Sequence, residues 1–160
     1  MILGMSAETY TLIHVALSLV GIGSGLIVVF GMMAGKRFNA LTALFLATTA
    51  ATSLTGFGFP VHQFMPSHGV GIVSLLALAA AVPARYFYHL AGGWRRTYVI
   101  GAVVALYLNV FVLIVQSFRR VPALKALDPT QSGPPFLIAQ LVIMALFVWL
   151  GIKAAKGFRT

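Results

Sequence analysis

The chain has 160 residues, 60% of them hydrophobic and only 8% charged, with a mean hydropathy of +0.98 and a formal net charge of +9. A water-soluble globular domain does not carry that balance, and a sequence without cysteine has no disulfide, thiolate metal site or thiol redox chemistry. Its only acidic residues are Glu8 and Asp128, which argues against paired-carboxylate catalysis, and it contains no GxSxG, P-loop, dinucleotide or HExxH motif.

Five long apolar runs predict an all-α integral membrane bundle: Tyr10 to Ala34, Ala40 to Phe59, Val70 to Leu90, Tyr98 to Phe118 and Phe136 to Ala155. Each is close to the ~20 residues a helix needs to cross ~30 Å of hydrocarbon. Lipid offers no partner to a backbone N–H or C=O, so spans of this length are helical, whereas barrel strands would be about half as long and alternating. The expectation is one transmembrane domain over residues 1–160 with no soluble domain, because the longest connection, Arg119 to Pro135, is too short to be one.

The first run lacks a basic leader and continues past the core length of a secretion signal, so it is expected to stay in the mature protein. Ser6 and Glu8 stand where its N-cap belongs, and Gly35 where its C-cap belongs. His14, Ser18, Gly21 and Gly25 follow at i, i+4, i+7 and i+11, one stripe of small residues against which a neighbouring helix can come close. In the second run, begun by Asn39, Thr48, Thr52 and Thr55 form a similar stripe. The stretch "FPVHQFMPSHG" then carries two of the four histidines, His62 and His68, in what reads as a loop.

Ser67 and Gly92 are expected to cap the third run, within which Pro83 is a candidate break. Thr97 is the expected cap of the fourth, where Asn109 and Gln116 face one way and suggest a polar seam shared with Thr52 and Gln140. In "RRVPALKALDPTQSGPP", Leu124, Lys125 and Leu127 predict a turn or two of surface helix, and Pro134 and Pro135 open the last run.

Lys36, Arg37, Arg85, Arg95, Arg96, Lys153, Lys156 and Arg159 fall on one side of this topology, and Arg119, Arg120 and Lys125 on the other. Because retained loops carry the positive excess, the N-terminus is expected outside and the C-terminus in the cytoplasm. The net charge then means topology and attraction to anionic headgroups, and it does not point to nucleic acid.

His14 lies roughly 12 Å along the first helix, in the outer leaflet with His62 and His68. Imidazoles in that arrangement suit haem b, held by His14 with His62 or His68. Gly21, Gly23, Gly25, Gly56 and Gly58 would then leave room for the porphyrin, and Arg119 or Arg120 would meet its propionates. They also suit Zn²⁺ or Cu²⁺ bound by His14, His62 and His68, with Glu8 or Asp128 as an oxygen ligand. Haem would imply electron transfer at the outer face, to or from quinone. The competing reading is an accessory or assembly subunit of a larger membrane complex with no chemistry of its own, and on either reading a stand-alone enzyme is not expected. A third is a small-solute transporter or channel along the seam, which with so few helices would need a homo-oligomer.

The segments "TSLTGFGFPVHQFMPSHGVG", "YFYHLAGGWRRTYV" and "LDPTQSGPPF" resemble a group of small bacterial inner-membrane proteins with no assigned activity. The resemblance covers most of the chain. It implies a bacterial inner-membrane setting and transfers no functional residue.

Overall fold

A computed structural model describes residues 4–58 and 66–158. Its helices, in chain order, are α1 (Ala7–Met33), α2 (Asn39–Gly56), α3 (Pro66–Tyr86), α4 (Gly93–Arg120), α5 (Pro122–Leu127) and α6 (Pro134–Gly157). The class is all-α, as expected. The expectation of five spans is corrected: among the described residues four helices are long and apolar enough to cross a membrane, namely α1, α3 from His68, α4 and α6. The run Ala40 to Phe59 forms α2, 18 residues that reach only about 27 Å. Thr42, Thr48, Thr49, Thr52 and Thr55 dilute its apolar character, and the first four of them are buried against other helices. Its sequence is shaped by helix contacts more than by lipid. The chain is a multi-pass membrane protein.

Helix α4 is the hub, touching each of the other helices. Of its most apolar stretch 39% is buried, against 17% for α6, so α6 gives most of its surface to the surroundings. The closest pairings are α1 with α2 and α3 with α4. Small residues permit both: a Cβ on Gly25 would lie 2.8 Å from the Phe45 ring and Leu106, and one on Gly101 only 2.7 Å from the Ala77 carbonyl oxygen. Around these contacts Phe45, Val28, Val29, Met32, Tyr98 and Leu106 form a closed core.

Local chemistry explains the helix ends. Ser6 caps α1 by accepting the Thr9 N–H at 3.1 Å, and Gly35, at φ +76°, follows its C-terminus as a left-handed residue. The third run ends sooner than its hydropathy implies. Helix α3 stops at Tyr86, and His89 and Leu90 turn through left-handed backbone at φ 52° and 61°. Leu90 is apolar because this turn plugs it into the core, where it is 1% exposed. Pro83 removes its own backbone donor to the Ala79 carbonyl, yet α3 continues past it to Tyr86. Helix α4 begins a turn early, capped by Gly92, so Thr97 is a helical residue whose hydroxyl donates to the Gly93 carbonyl. The surface helix read from Leu124, Lys125 and Leu127 is α5.

Two arginines knit one end of the bundle. Arg85, 5% exposed, donates from Nη2 to Asn39 Oδ1 at 2.7 Å and to the Arg37 carbonyl at 3.3 Å. Its guanidinium also lies over the Tyr98 ring, 5.1 Å from the centroid. Asn39 is thus the first residue of α2 and an arginine acceptor, with no part in the cap. Arg95 donates to the Ala155 carbonyl at 2.9 Å and to that of Phe158, fastening α4 to the C-terminus of α6.

At the opposite end, Asp128 is 4% exposed and its carboxylate accepts the backbone N–H groups of Ser132, Gly133 and Phe136 at 2.9 to 3.2 Å. These are donors at the start of α6 that lack helical partners, and the helix dipole favours an anion there. Asp128 is therefore engaged in capping the start of α6. Asp128→Asn should lower the stability of the folded chain by about 1–2 kcal/mol. Thermal unfolding in detergent, followed by helical circular dichroism, checks this.

Candidate functional site

A cleft lies at the end of the bundle away from Arg85 and Arg95, ringed by α1, α2, α3 and α4 and lined mainly by apolar surface, with a few polar side chains among it. His14 and Ser18 line it from α1, Thr52, Ser53 and Phe57 from α2 and its end, His68 and Ser74 from α3, and Asn109 from α4. It is half open, with a volume of about 90 Å³.

Each side chain is positioned by its helix. The threonine stripe of α2 bonds back to its own backbone, Thr48 to Leu44, Thr52 to Thr48 and Thr55 to Ala51, each at 2.7 Å. Those bonds consume hydroxyl protons and leave oxygen lone pairs as acceptors. Thr55 uses one: its Oγ1 lies 2.7 Å from Nδ1 of His14. One turn before His14, the Tyr10 hydroxyl donates to the Thr55 carbonyl at 2.7 Å, so two residues of α1 clasp one residue of α2. Ser53 donates to Ser74 at 3.0 Å and ties α2 to α3 across the cleft.

His68 differs from its sequence reading. It belongs to the first turn of α3 and is 9% exposed, because Pro66 already starts the helix. Its ring stacks on Phe57, with centroids 5.5 Å apart and planes 11° apart. His62 lies outside the described residues.

The glycines expected to make room for a porphyrin behave differently from one another. A Cβ on Gly21 would come within 3.3 Å of Thr48 Oγ1, Thr49 Oγ1 and Asn109 Nδ2, and the Gly25 face is filled by Phe45 and Leu106. Gly23 meets nothing within 4 Å. The close-packing face of α1 is thus occupied by α2 and α4.

Of the expected polar seam, Thr52 and Asn109 share the cleft. Gln116 instead accepts a hydrogen bond from Arg120 Nε at 3.0 Å on the outer turn of α4. Gln140 reaches across from α6 to the Phe111 carbonyl at 3.4 Å. Arg119 and Arg120 are exposed in the last turn of α4 and do not line the cleft. Sequence reading passed over Tyr10, Ser53, Phe57 and Ser74. Tyr10 stood one helical turn before His14, which was the available signal, whereas Ser53 and Ser74 had none. Among the described residues no group of three or more His, Cys, Asp or Glu side chains converges. No family model, curated protein or solved structure matches the chain.

Proposed function

We propose that this multi-pass membrane protein binds a divalent transition-metal ion, Zn²⁺ or Cu²⁺, in the cleft between α1, α2, α3 and α4, with His14 and His68 as nitrogen ligands. One observation carries the reading: two imidazoles from different helices line a single cleft of the bundle. Nitrogen donors suit these ions, whereas Mg²⁺ and Ca²⁺ call for carboxylates, and Asp128 is engaged at the start of α6. Water and the cleft's hydroxyl oxygens complete the coordination shell. Haem b is the poorer occupant, because α2 and α4 fill the face of Gly21 and Gly25 meant for the ring. Copper would permit one-electron exchange with a quinone in the bilayer, and zinc would not.

The setting that fits is a bacterial cytoplasmic membrane. The end that carries Lys36, Arg37, Arg85, Arg95, Arg96, Lys153 and Lys156 faces the cytoplasm and its anionic headgroups, and the histidine cleft faces outward.

Metal analysis of the full chain purified in detergent, followed by titration with Zn²⁺ and Cu²⁺, tests the reading. The expected result is uptake of one ion per chain and no Soret band. A chain that takes up neither ion, or one with a Soret band that disappears in His14→Ala, would overturn it. Copurification of a metal-free chain with a defined multisubunit complex would point to an accessory subunit instead.

A further inference from the structure

We infer that one end of the bundle carries a collar of paired basic and aromatic side chains that binds the phosphate headgroups of anionic phospholipids in preference to zwitterionic ones. The inference is independent of what the cleft holds.

The fold brings basic residues from separate stretches of the chain to this end. Arg85 bonds to Arg37 and Asn39, Arg95 bonds to Ala155 and Phe158, and Gly157 packs on the Met33 carbonyl at the end of α1. Glu8 and Asp128, the only acidic residues of the chain, stand at the starts of α1 and α6, at the opposite end. No carboxylate therefore offsets Lys36, Arg37, Arg96, Lys153 and Lys156, all of which are exposed. The partner that complements them is an anion.

Aromatic rings stand beside these charges. Lys36 Nζ lies 5.8 Å from the centroid of the Phe38 ring, and Lys153 Nζ lies 5.9 Å from that of Trp149. At the α3–α4 turn, Tyr88 and Trp94 stack with centroids 4.1 Å apart and planes 5° apart, and Arg96 follows Trp94 by two residues. All four rings are exposed, while the turn that presents the stack is pinned by Leu90 in the core.

The pairs also encircle the bundle. Its helices touch in the order α1, α2, α3, α4, α6 and back to α1, and the pairs lie at the α1–α2 connection, at the α3–α4 turn and on α6. A folded protein would cover one side of such a ring, whereas the headgroup layer of a bilayer meets it all round. Tryptophan and tyrosine favour that level, and lysine and arginine stems reach along apolar surface to place their charges there. Each headgroup meets the basic residue at its own position, so a preference of roughly fivefold for anionic lipid is expected.

Trp94 and Trp149 are the only tryptophans of the chain and both belong to the collar, so their fluorescence reads its occupant. The test places the full chain in vesicles of phosphatidylcholine and phosphatidylglycerol, with one lipid or the other brominated on its acyl chains. Brominated phosphatidylglycerol should quench as though enriched roughly fivefold beside the rings. The enrichment should fade at about 1 M salt, where the Debye length falls to about 3 Å. In a chain carrying Lys36→Gln, Arg96→Gln and Lys153→Gln together it should disappear, whereas Arg119→Gln, at the opposite end, should leave it unchanged. Equal quenching by the two lipids in wild type at low salt overturns the inference, and so does a preference that survives high salt or the triple substitution. An acidic soluble protein that binds this end in phosphatidylcholine vesicles, with no preference for phosphatidylglycerol, would assign the collar to that protein and overturn the inference as well.

Discussion

His14→Ala and His68→Ala are each expected to weaken Zn²⁺ binding by more than about 100-fold, since loss of a ligand exceeds the ~10–100-fold seen when only a ligand's supporting partner is removed. The double variant should bind no more ion than background. The two proposed nitrogen ligands leave little redundancy: the acidic residue Asp128 is occupied by backbone N–H groups, and no third titratable ligand joins the pair among the described residues. Isothermal titration in detergent reads the affinities. Arg119→Ala serves as the control, because that side chain does not line the cleft and should leave Zn²⁺ affinity unchanged. If haem were the occupant, the same substitution could disturb a propionate, so the control also separates the two cofactors. His14→Ala removes the tie to Thr55 as well, at about 1 kcal/mol. That cost is small beside the expected loss of binding.

The class, the helical character and most helix positions were legible because hydropathy and backbone satisfaction in lipid leave few alternatives. The count of spans was not, and α2 shows why. A run of apolar residues records burial without saying whether lipid or another helix supplies it, and the threonines of α2 point to helix contacts. Leu90 misled in the same way: its hydrophobicity belongs to a turn packed into the core, yet in sequence it extends the third run. The stripe of His14, Ser18, Gly21 and Gly25 was readable as a packing face, and so was the threonine stripe opposite. What the spacing could not supply was their mutual register, which sets Thr55 against His14 and Gly21 against Thr48 and Thr49. Register is a property of the pair of helices. Gln116 shows the converse failure, since facing the same way as Asn109 did not bring it to the cleft, and Arg120, one turn further along, engages it instead.

Substituting alanine at three glycines should give a ranked series of stabilities, decided by what each new methyl meets. At Gly23 nothing lies within 4 Å, so Gly23→Ala should be neutral or stabilising by up to about 1 kcal/mol through helix propensity alone. At Gly25 the obstacles, 2.8 Å away, are the Phe45 ring and a Leu106 methyl. Side chains can rotate away, but both are buried in a closed core, and a cost of about 1–3 kcal/mol follows from overpacking. At Gly101 the obstacle at 2.7 Å is the backbone carbonyl oxygen of Ala77, with the Ala81 Cβ at 3.0 Å behind it. A carbonyl fixed in its helix cannot rotate away, so α3 and α4 must separate along one of the two closest pairings in the bundle. Gly101→Ala should therefore cost at least about 3 kcal/mol, the upper end of the overpacking range. The cleft is built partly from α3 and α4 through His68, Ser74 and Asn109, so this separation should also weaken Zn²⁺ binding in whatever fraction still folds. Thermal unfolding of the three variants in one detergent, with Zn²⁺ titration of each, provides the comparison. A Gly101→Ala chain as stable as Gly23→Ala would mean that α3 and α4 do not pack at this distance.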